Sequence, residues 1–439
     1  MQDLWADYAG EAFATEEAGR GGGLRRRRLT EQAALMTLRA WLLRDYMLPY
    51  GASLGATRIF QRCYWFDGLG SPRAVVPELV PAQSTLPNGQ RGSGASEPAL
   101  PLALQFTQET ARQLAQLERP IALHGFVFDE KRGKRKTPEI SGNRATRKGA
   151  SQGRNGTAEA SAALPLPKTG GLLPGSWPEL APSLLTNLEQ SAAVFLLNPF
   201  KDALFRYGDL APLYQRTAPT ELFLWLSHKQ IETRLLPGLR APEGAAALTN
   251  LLRGDRWKGL LIQENASPEQ ATRGLVELLA ESMRPHFLSI QQLAFPVHGG
   301  PALVEDAPYS LLFATRRQDS LCRFNDAVCK RARQLLAESQ RGILNEEWFS
   351  TQRAEQADAR RAELTRETLA LGRAQRPRRW PDLRLQLMLK RFGQQTIAEY
   401  DQTIIDLLAR GEVSCEWRKR PQESAEPSVP GNEDLLHWK

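Results

Sequence analysis

The chain has 439 residues, of which 41% are hydrophobic and 24% are charged. A chain of this length and composition can bury a large core, so a wholly disordered or fibrous protein is excluded and two or three domains are favoured. The 57 Lys and Arg against 49 Asp and Glu give a net charge of +8, which favours anionic partners without requiring them.

The apolar and cysteine residues narrow the class of protein further. No apolar run approaches the roughly 18 residues of a membrane span, and the residues after Met1 lack the basic and apolar pattern of a signal peptide. No CxxC spacing occurs among the four cysteines, which are Cys63, Cys322, Cys329 and Cys415. We therefore expect reduced thiols, no bound metal and no membrane contact, as in a cytoplasmic protein.

The first ordered elements follow a tail, residues 1–28, that we expect to be disordered. Leu29–Met47 has apolar residues at helical spacing, and an apolar, aromatic run after it ends in Asp67, followed by Gly68 and Gly70. A buried strand followed by such a turn is where open α/β sheets bind nucleotide-like ligands, so these three residues are candidate ligand-binding residues. A strand followed by Asp-Gly is also an ordinary turn.

A second strand is predicted over Ile121–Phe128, after a loop rich in Pro, Gly and Ser at residues 72–101 and a helix. The strand is followed by Asp129 and Glu130. An acid at this point of a doubly wound sheet often receives the ribose hydroxyls of a bound nucleotide. Asp129 or Glu130 is therefore the candidate ribose acceptor.

Residues 131–176 are predicted to form a disordered insert. Between Lys131 and Arg154 the insert has nine Lys or Arg against one acid, and its other residues are too polar to form a core. Its first cations are candidate phosphate contacts: Lys131, Arg132, Lys134, Arg135 and Lys136. A solvated basic loop without a partner explains the same composition.

A third strand, Ala192–Leu197, ends in Asn198-Pro199-Phe200 and is followed by a helix and a fourth strand. Strands that alternate with helices predict an α/β, Rossmann-like domain with a mostly parallel sheet over residues 29–320. Residues 228–267 are predicted to be a helical insertion. Two late strands separated by a short gap predict an antiparallel ending of the sheet.

The last third of the chain is predicted to be mainly helical. Residues 321–376 read as a helical extension, residues 377–421 as two helices and a strand that resemble part of a winged-helix domain, and residues 422–439 as a tail. The basic residues of this region are candidate phosphate contacts, and they are Arg384, Lys390, Arg391, Arg418, Lys419 and Arg420. A small packing or dimerisation module is an equally good interpretation.

Several segments share their order along the chain with a known family. They are the YWFDGLGSP turn, the Gly94, Ser96 and Pro98 positions, the VFLLNPF strand end, the YSLLFATRR strand and the RFNDAVCKR helix. Together they resemble the three-Cys-motif partner family, TcmP, over residues 30–420. The turn after Asp67 differs from the usual D-G-F-A-G-P-G of that family, and Asn198 replaces its usual Asp.

The resemblance implies a class I methyltransferase-like fold and S-adenosylmethionine as the cofactor. Asp67, Gly68 and Gly70 would shape the cofactor pocket, and Asp129 or Glu130 would hold the ribose.

The strand end Asn198-Pro199-Phe200 lies where amino-methylating enzymes carry an Asn/Asp-Pro-Pro-aromatic motif, so these three are the candidate catalytic residues. An acceptor at that position takes hydrogen bonds from a target amino group while the aromatic ring stacks on a base. An Asn-Pro turn after a buried strand is also a common structural feature.

Two functions follow from these expectations. The first is a methyltransferase-like protein that binds S-adenosylmethionine and acts on or near nucleic acid in a bacterial mobile-element or phage-defence setting. The alternative is a catalytically inactive Rossmann scaffold that recruits a three-cysteine iron-sulfur protein, encoded nearby, to nucleic acid.

Overall fold

The structure, a computed structural model, describes residues 31–70, 101–129, 170–188, 190–201, 204–262, 267–296, 307–340, 346–375, 379–418 and 428–439. The chain divides into two units. The first comprises Met1–Gln292 and Pro308–Arg316, and the second comprises Leu293–Ala307 and Arg317–Lys439.

Seven strands of the described chain form one sheet. The strands are β1 (Arg62–Asp67), β2 (Ala122–Asp129), β3 (Gly171–Pro174), β4 (Ala192–Leu197), β5 (Thr220–Ser227), β6 (Ser289–Phe295) and β7 (Tyr309–Thr315). Their order is β3-β2-β1-β4-β5-β7-β6. The pairs among β1 to β5 are parallel, whereas β7 runs antiparallel to β5. The predicted α/β class, the mostly parallel sheet and its antiparallel ending are confirmed, and the arrangement is compatible with a Rossmann-like fold.

The centre of the sheet is apolar on both faces, as strands covered on both sides require. Every residue of β4, β5 and β7 is buried. Aromatic rings line one face across neighbouring strands, where the Phe66 ring stacks on Phe126 and Phe195 with centroids 5.4 and 5.1 Å apart. These large rings join β1 to its partners on both sides and hold the strand ends in register.

Helices precede, connect and follow the strands of the first unit. The first is α1 (Glu31–Trp41), which continues through a π-helical segment (Leu42–Met47) into α2 (Leu48–Ala56). The others are α3 (Leu102–Ala115), α4 (Trp177–Leu188), α5 (Tyr207–Gln215), α6 (His228–Gln230), α7 (Leu236–Gly238), α8 (Pro242–Leu252), α9 (Trp257–Ile262) and α10 (Pro268–Met283). The helices from α6 to α9 match the predicted helical insertion at residues 228–267.

The second unit is mainly helical. Its described helices are α11 (Gln318–Gln340), α12 (Glu346–Gln375), α13 (Trp380–Lys390) and α14 (Ile397–Ala409), followed by the antiparallel pair β8 (Val413–Glu416) and β9 (Leu435–Trp438). Asn325, which is fully buried, accepts from the Gly393 amide at 2.8 Å and donates to the Gln395 carbonyl at 2.7 Å. The RFNDAVCKR segment therefore fixes the loop that joins α13 to α14.

Two short strands lie where the sequence predicts irregular structure. The end of the predicted insert at residues 131–176 forms β3, an edge strand whose flanking Gly and Pro hide its strand pattern. The predicted tail at residues 422–439 contains β9, whose Trp438 ring packs against α12. A Cβ on Gly372 would lie 2.3 Å from that ring, so the helix carries glycine at the contact. Both predictions are wrong for these residues, because the strands depend on partners distant in sequence.

Other predicted segments lie outside the described residues. These are the tail at residues 1–28, most of the loop at residues 72–101, the insert as far as residue 169, and residues 419–427. In the part of the chain that the structure describes, no helix combines the length and the apolar character needed to cross a membrane.

Candidate functional site

The turn after β1 is held by a buried ion pair. Arg39 of α1 donates from Nε and Nη2 to the two carboxylate oxygens of Asp67 at 2.5 and 3.0 Å, and both side chains are 1% exposed. Nη2 of Arg39 also donates to the Gly70 carbonyl at 2.6 Å. The amide of Leu69 completes the set by donating to Asp67 Oδ1 at 3.0 Å. One guanidinium thus fixes the strand end and the turn together.

The arrangement changes the role expected for Asp67. Because its carboxylate already accepts three hydrogen bonds in a dry environment, Asp67 shapes the turn through Arg39 instead of presenting a vacant acceptor to a ligand. The sequence contained a signal for this pair, since Arg39 interrupts an apolar helix face and a buried arginine requires an acidic partner. Sequence reasoning missed it because the partner lies 28 residues away.

Both glycines of the turn are required by close packing or by conformation. A Cβ on Gly68 would lie 2.6 Å from Leu197 Cδ2, so the chain passes directly against β4 at this residue. Gly70 has a φ of +83°, in the left-handed region that side chains disfavour. A Cβ there would lie 3.4 Å from Lys201 Nζ and 4.0 Å from the Phe128 carbonyl oxygen. The bare face of Gly70 therefore lies beside the ends of β2 and β4.

Asp129 is the last residue of β2 and is partly exposed. Its main-chain oxygen accepts from the Gly175 amide, which binds the strand end to the segment after β3. Asp129 lies at the carboxyl edge of the sheet, two residues beyond Val127, the partner of Asp67, where the prediction required a ribose acceptor. Glu130, the alternative acceptor, lies outside the described residues.

The strand end of β4 is tightly organised. Asn198 Oδ1 accepts from the Phe200 amide at 2.9 Å, which closes an Asx turn, and Nδ2 donates to Gln230 Oε1 at 3.0 Å. Pro199 contributes its carbonyl, which accepts from the Phe205 amide. Phe200 is 4% exposed and packs in the main apolar core. A ring so placed supports the turn, and stacking on a base would require it to leave the core.

A histidine, His228, directly follows the end of β5. His228 Nε2 and Ser310 Oγ lie 2.8 Å apart, within hydrogen-bond distance, across the antiparallel pair β5 and β7. Beside them, burial and the charge of Glu31 raise the pKa of Tyr309 to about 12. This tyrosine is therefore a neutral hydrogen-bonding group at physiological pH.

These strand ends meet at one edge by topology. β1, β2, β4 and β5 are parallel, so their carboxyl ends lie on the same side, and antiparallel β7 begins there. The strand order reverses between β1 and β4, which is the position where open α/β sheets bind ligands. The strand ends at this edge carry an acid (Asp129), an amide (Asn198), a histidine (His228) and, beside the glycine turn, a lysine (Lys201). Such a set suits a ligand with both polar and charged groups.

The cations predicted to contact phosphate fall into two groups. The insert cations Lys131, Arg132, Lys134, Arg135 and Lys136 lie outside the described residues, as does Lys419. Arg418 forms an ion pair with Glu433 at 2.9 Å. The other described cations of the winged-helix-like region are also ion-paired: Arg384 with Asp401, Lys390 with Glu367, and Arg391 with Glu363 and Glu367.

The helix before the β8–β9 pair provides little positive charge. The sequence of α14 contains Glu399, Asp401 and Asp406 but neither Lys nor Arg. The ion pairs of α13 and the acidic sequence of α14 suit a packing module better than a phosphate-binding helix. An arginine bound to a carboxylate must give up that partner before it contacts phosphate.

Among the described residues, no cluster of three or more His, Cys, Asp or Glu side chains is arranged to hold a metal ion. No family model matches the chain, and no curated protein or solved structure is significantly similar to it.

Proposed function

We propose that the chain is a methyltransferase-like protein of the three-Cys-motif partner type that binds S-adenosylmethionine at the carboxyl edge of β1, β2 and β4 and acts on or near nucleic acid. One observation carries the proposal: the reversal of strand order between β1 and β4 coincides with the glycine turn clasped by Arg39. A mostly parallel sheet with an antiparallel strand inserted near one end also agrees with a class I methyltransferase fold.

The residues at this edge fit the cofactor. The Asp129 carboxylate suits the ribose hydroxyls, which are donors, and the bare face of Gly70 allows the chain of the methionine part to pass close to the backbone. Bound there, S-adenosylmethionine supplies an activated methyl group.

The substrate side of the proposal depends on Asn198. Its Oδ1 accepts one hydrogen bond from the Phe200 amide, and an amide oxygen has a second lone pair for a target amino group. Gln230 holds the amide plane in place through Nδ2. An acceptor fixed in this way before the substrate arrives is the kind of pre-organised polar group that favours a nucleophile as charge develops on it.

Transfer of a labelled methyl group from S-adenosylmethionine to DNA or RNA tests the proposed activity. Wild-type protein should label the nucleic acid, Asn198→Ala should abolish labelling, and Asn198→Asp should retain part of it because the acceptor oxygen remains. Asn187→Ala, in α4 and close to the opposite edge of the sheet, is the matched control. Labelling that Asn198→Ala leaves unchanged would contradict the assignment of Asn198.

A specific observation favours the alternative, a catalytically inactive scaffold that recruits a three-cysteine iron-sulfur partner. Phe200 is buried, and both ends of the Asn198 amide already have partners within the chain. Under this alternative the protein copurifies with the product of the neighbouring gene and transfers no label, with or without nucleic acid. Detection of methyl transfer by the wild type would contradict the inactive-scaffold alternative.

A further inference from the structure

Lys201 is a charged residue at the ligand-binding edge to which neither the methyl transfer nor the ribose contact assigns a role. It follows Asn198-Pro199-Phe200 at the end of β4, and its side chain reaches the turn after β1. Nζ lies 3.4 Å from the position that a Cβ on Gly70 would occupy. The ammonium group therefore lies at the carboxyl ends of β1 and β4, the two neighbouring strands between which the strand order reverses.

The glycine leaves space for a ligand beside this lysine. Arg39 binds the Gly70 carbonyl and so fixes the direction of the peptide, while the left-handed φ turns the bare α-carbon toward Lys201. Any other residue at position 70 would place a methyl or larger group in front of the ammonium. Glycine at position 70 therefore keeps a side chain away from this side of the ammonium, and a ligand group that lies against the turn can reach Nζ.

A backbone acceptor borders the same space. The Phe128 carbonyl oxygen lies 4.0 Å from the same Cβ position. Because the Asp129 carbonyl accepts from Gly175 on the β3 side, the carbonyl of Phe128 points to the other side, toward the turn after β1. A cationic donor and a neutral acceptor on either side of one glycine match a group that carries both a carboxylate and an ammonium.

We propose that Lys201 binds the carboxylate of the methionine part of S-adenosylmethionine, with the Phe128 carbonyl available to its ammonium group. The inference rests on the proposed function and adds the residue that selects an amino acid moiety. Lys201 then distinguishes the cofactor from adenosine compounds that lack the carboxylate.

The test compares S-adenosylmethionine with decarboxylated S-adenosylmethionine by isothermal titration, because the two ligands differ in the carboxylate alone. A charge-assisted hydrogen bond predicts that the wild type prefers the carboxylate form by roughly 10- to 100-fold. Lys201→Met should remove this preference by weakening S-adenosylmethionine alone, and Lys201→Arg should retain part of it. Lys229→Met is the matched control, because Lys229 is an exposed lysine at the end of β5 on the same edge.

The outcomes separate this inference from the function on which it rests. If the wild type binds both ligands equally, or if Lys201→Met weakens both equally, the assignment of Lys201 is wrong and cofactor binding stands. If neither ligand binds, the proposed function fails and the inference fails with it. If adenosine monophosphate binds instead and Lys201→Met abolishes that binding, the group at Lys201 is a phosphate and the carboxylate assignment is overturned. Melting curves of each variant establish that it is folded.

Discussion

Two arginine–carboxylate pairs in different parts of the molecule share their chemistry but differ in their surroundings. In the first unit, Arg39 and Asp67 are each 1% exposed and hold the turn after β1. In the second unit, Arg384 binds both oxygens of Asp401 at 2.7 and 2.8 Å, and these side chains are 19% and 21% exposed. Loss of one member of the first pair leaves the other charge buried without a partner. In the second pair, water can solvate the charge that remains.

The two kinds of ion pair differ in what they hold in place: the buried pair fixes a turn, and the partly exposed pairs join helices. A buried pair that also binds the carbonyl of a left-handed glycine fixes a particular turn at a sheet switch point. The partly exposed pairs of the second unit connect α12, α13 and α14 and join Arg384, Lys390 and Arg391 to carboxylates. The charge of these three cations therefore serves packing within the second unit.

The largest expected effect is on stability when one member of the buried pair is removed. Asp67→Ala leaves the Arg39 guanidinium buried without its partner, so the free energy of unfolding should fall by about 3–5 kcal/mol. Asp401→Ala, the corresponding change in the second unit, should cost about 1–2 kcal/mol, because Arg384 reaches water and the cost comes mainly from the buried Trp380 indole N–H, which loses its acceptor. Chemical denaturation measures both. Equal losses would contradict the distinction between the two pairs.

A double variant separates the fold from the site. Replacing both members by apolar residues, Arg39→Met with Asp67→Leu, removes the buried charges together and should recover most of the stability lost in Asp67→Ala. The Gly70 carbonyl then loses its donor, so affinity for S-adenosylmethionine should fall although the protein is folded. A double variant that binds the cofactor as tightly as the wild type would show that Arg39 has no part in positioning the turn.

The next effect concerns nucleic-acid binding and compares the insert cations with Arg418, which is ion-paired. Replacing Lys131, Arg132, Lys134, Arg135 and Lys136 by Gln should reduce the slope of log affinity against log salt by about 4 if all five contact phosphate. Arg418→Gln should change the slope by less than about 1, because Arg418 is paired with Glu433. Filter binding to duplex DNA and to RNA over a range of salt measures both slopes.

Each of these two changes, the five insert substitutions and Arg418→Gln, is the control for the other. Binding that depends on Arg418 but not on the five insert cations would transfer the nucleic-acid contact to the winged-helix-like region. Binding that neither change affects would leave the insert as a solvated loop, which is the alternative interpretation of its composition.

The smallest effect is a pH dependence in the second unit. The hydrogen bond from Arg391 lowers the pKa of Glu367 below its ordinary value of 4.5, and its partial burial opposes that shift. The folded state therefore favours the charged carboxylate, so the pair contributes stability that is present above pH 4.5 and is lost as the pH falls through the lowered pKa. Because the group is partly exposed, the contribution should stay below about 1 kcal/mol.

Glu367→Gln tests this sign. The free energy of unfolding of the variant should lie below that of the wild type at pH 7, and the difference should shrink as the pH is lowered below 4.5. Glu355→Gln, an exposed acid earlier in α12, is the control. A difference that grows toward low pH would mean that the carboxylate is destabilised in the folded state.

The local sequence pattern predicted a fully buried strand but missed two short edge strands. β4 has the predicted bounds, since a fully buried strand is a continuous apolar run with polar ends. β3 and β9 escaped prediction because four residues at an edge take their structure from a neighbouring strand or helix. Periodicity in a short segment does not reveal such a neighbour.

The sequence predicted which candidate residues stand at strand ends but not which residues they contact. Asp67 and Asn198 are at strand ends, as predicted, and topology brings their strand ends together. The pairing of Asp67 with Arg39, the position of Lys201 beside Gly70 and the burial of Phe200 all depend on residues distant in sequence. A single sequence gives residue types at strand ends but not which of them face each other.

Cofactor binding at the carboxyl edge is tested by titrating S-adenosylmethionine into the wild-type protein. We expect saturable heat with a dissociation constant in the micromolar range. Asp129→Asn, at the carboxyl end of β2, should weaken binding, and Glu118→Gln, an exposed acid just before the other end of that strand, should leave it unchanged. No heat at high micromolar cofactor, with no shift of the melting temperature, would contradict it.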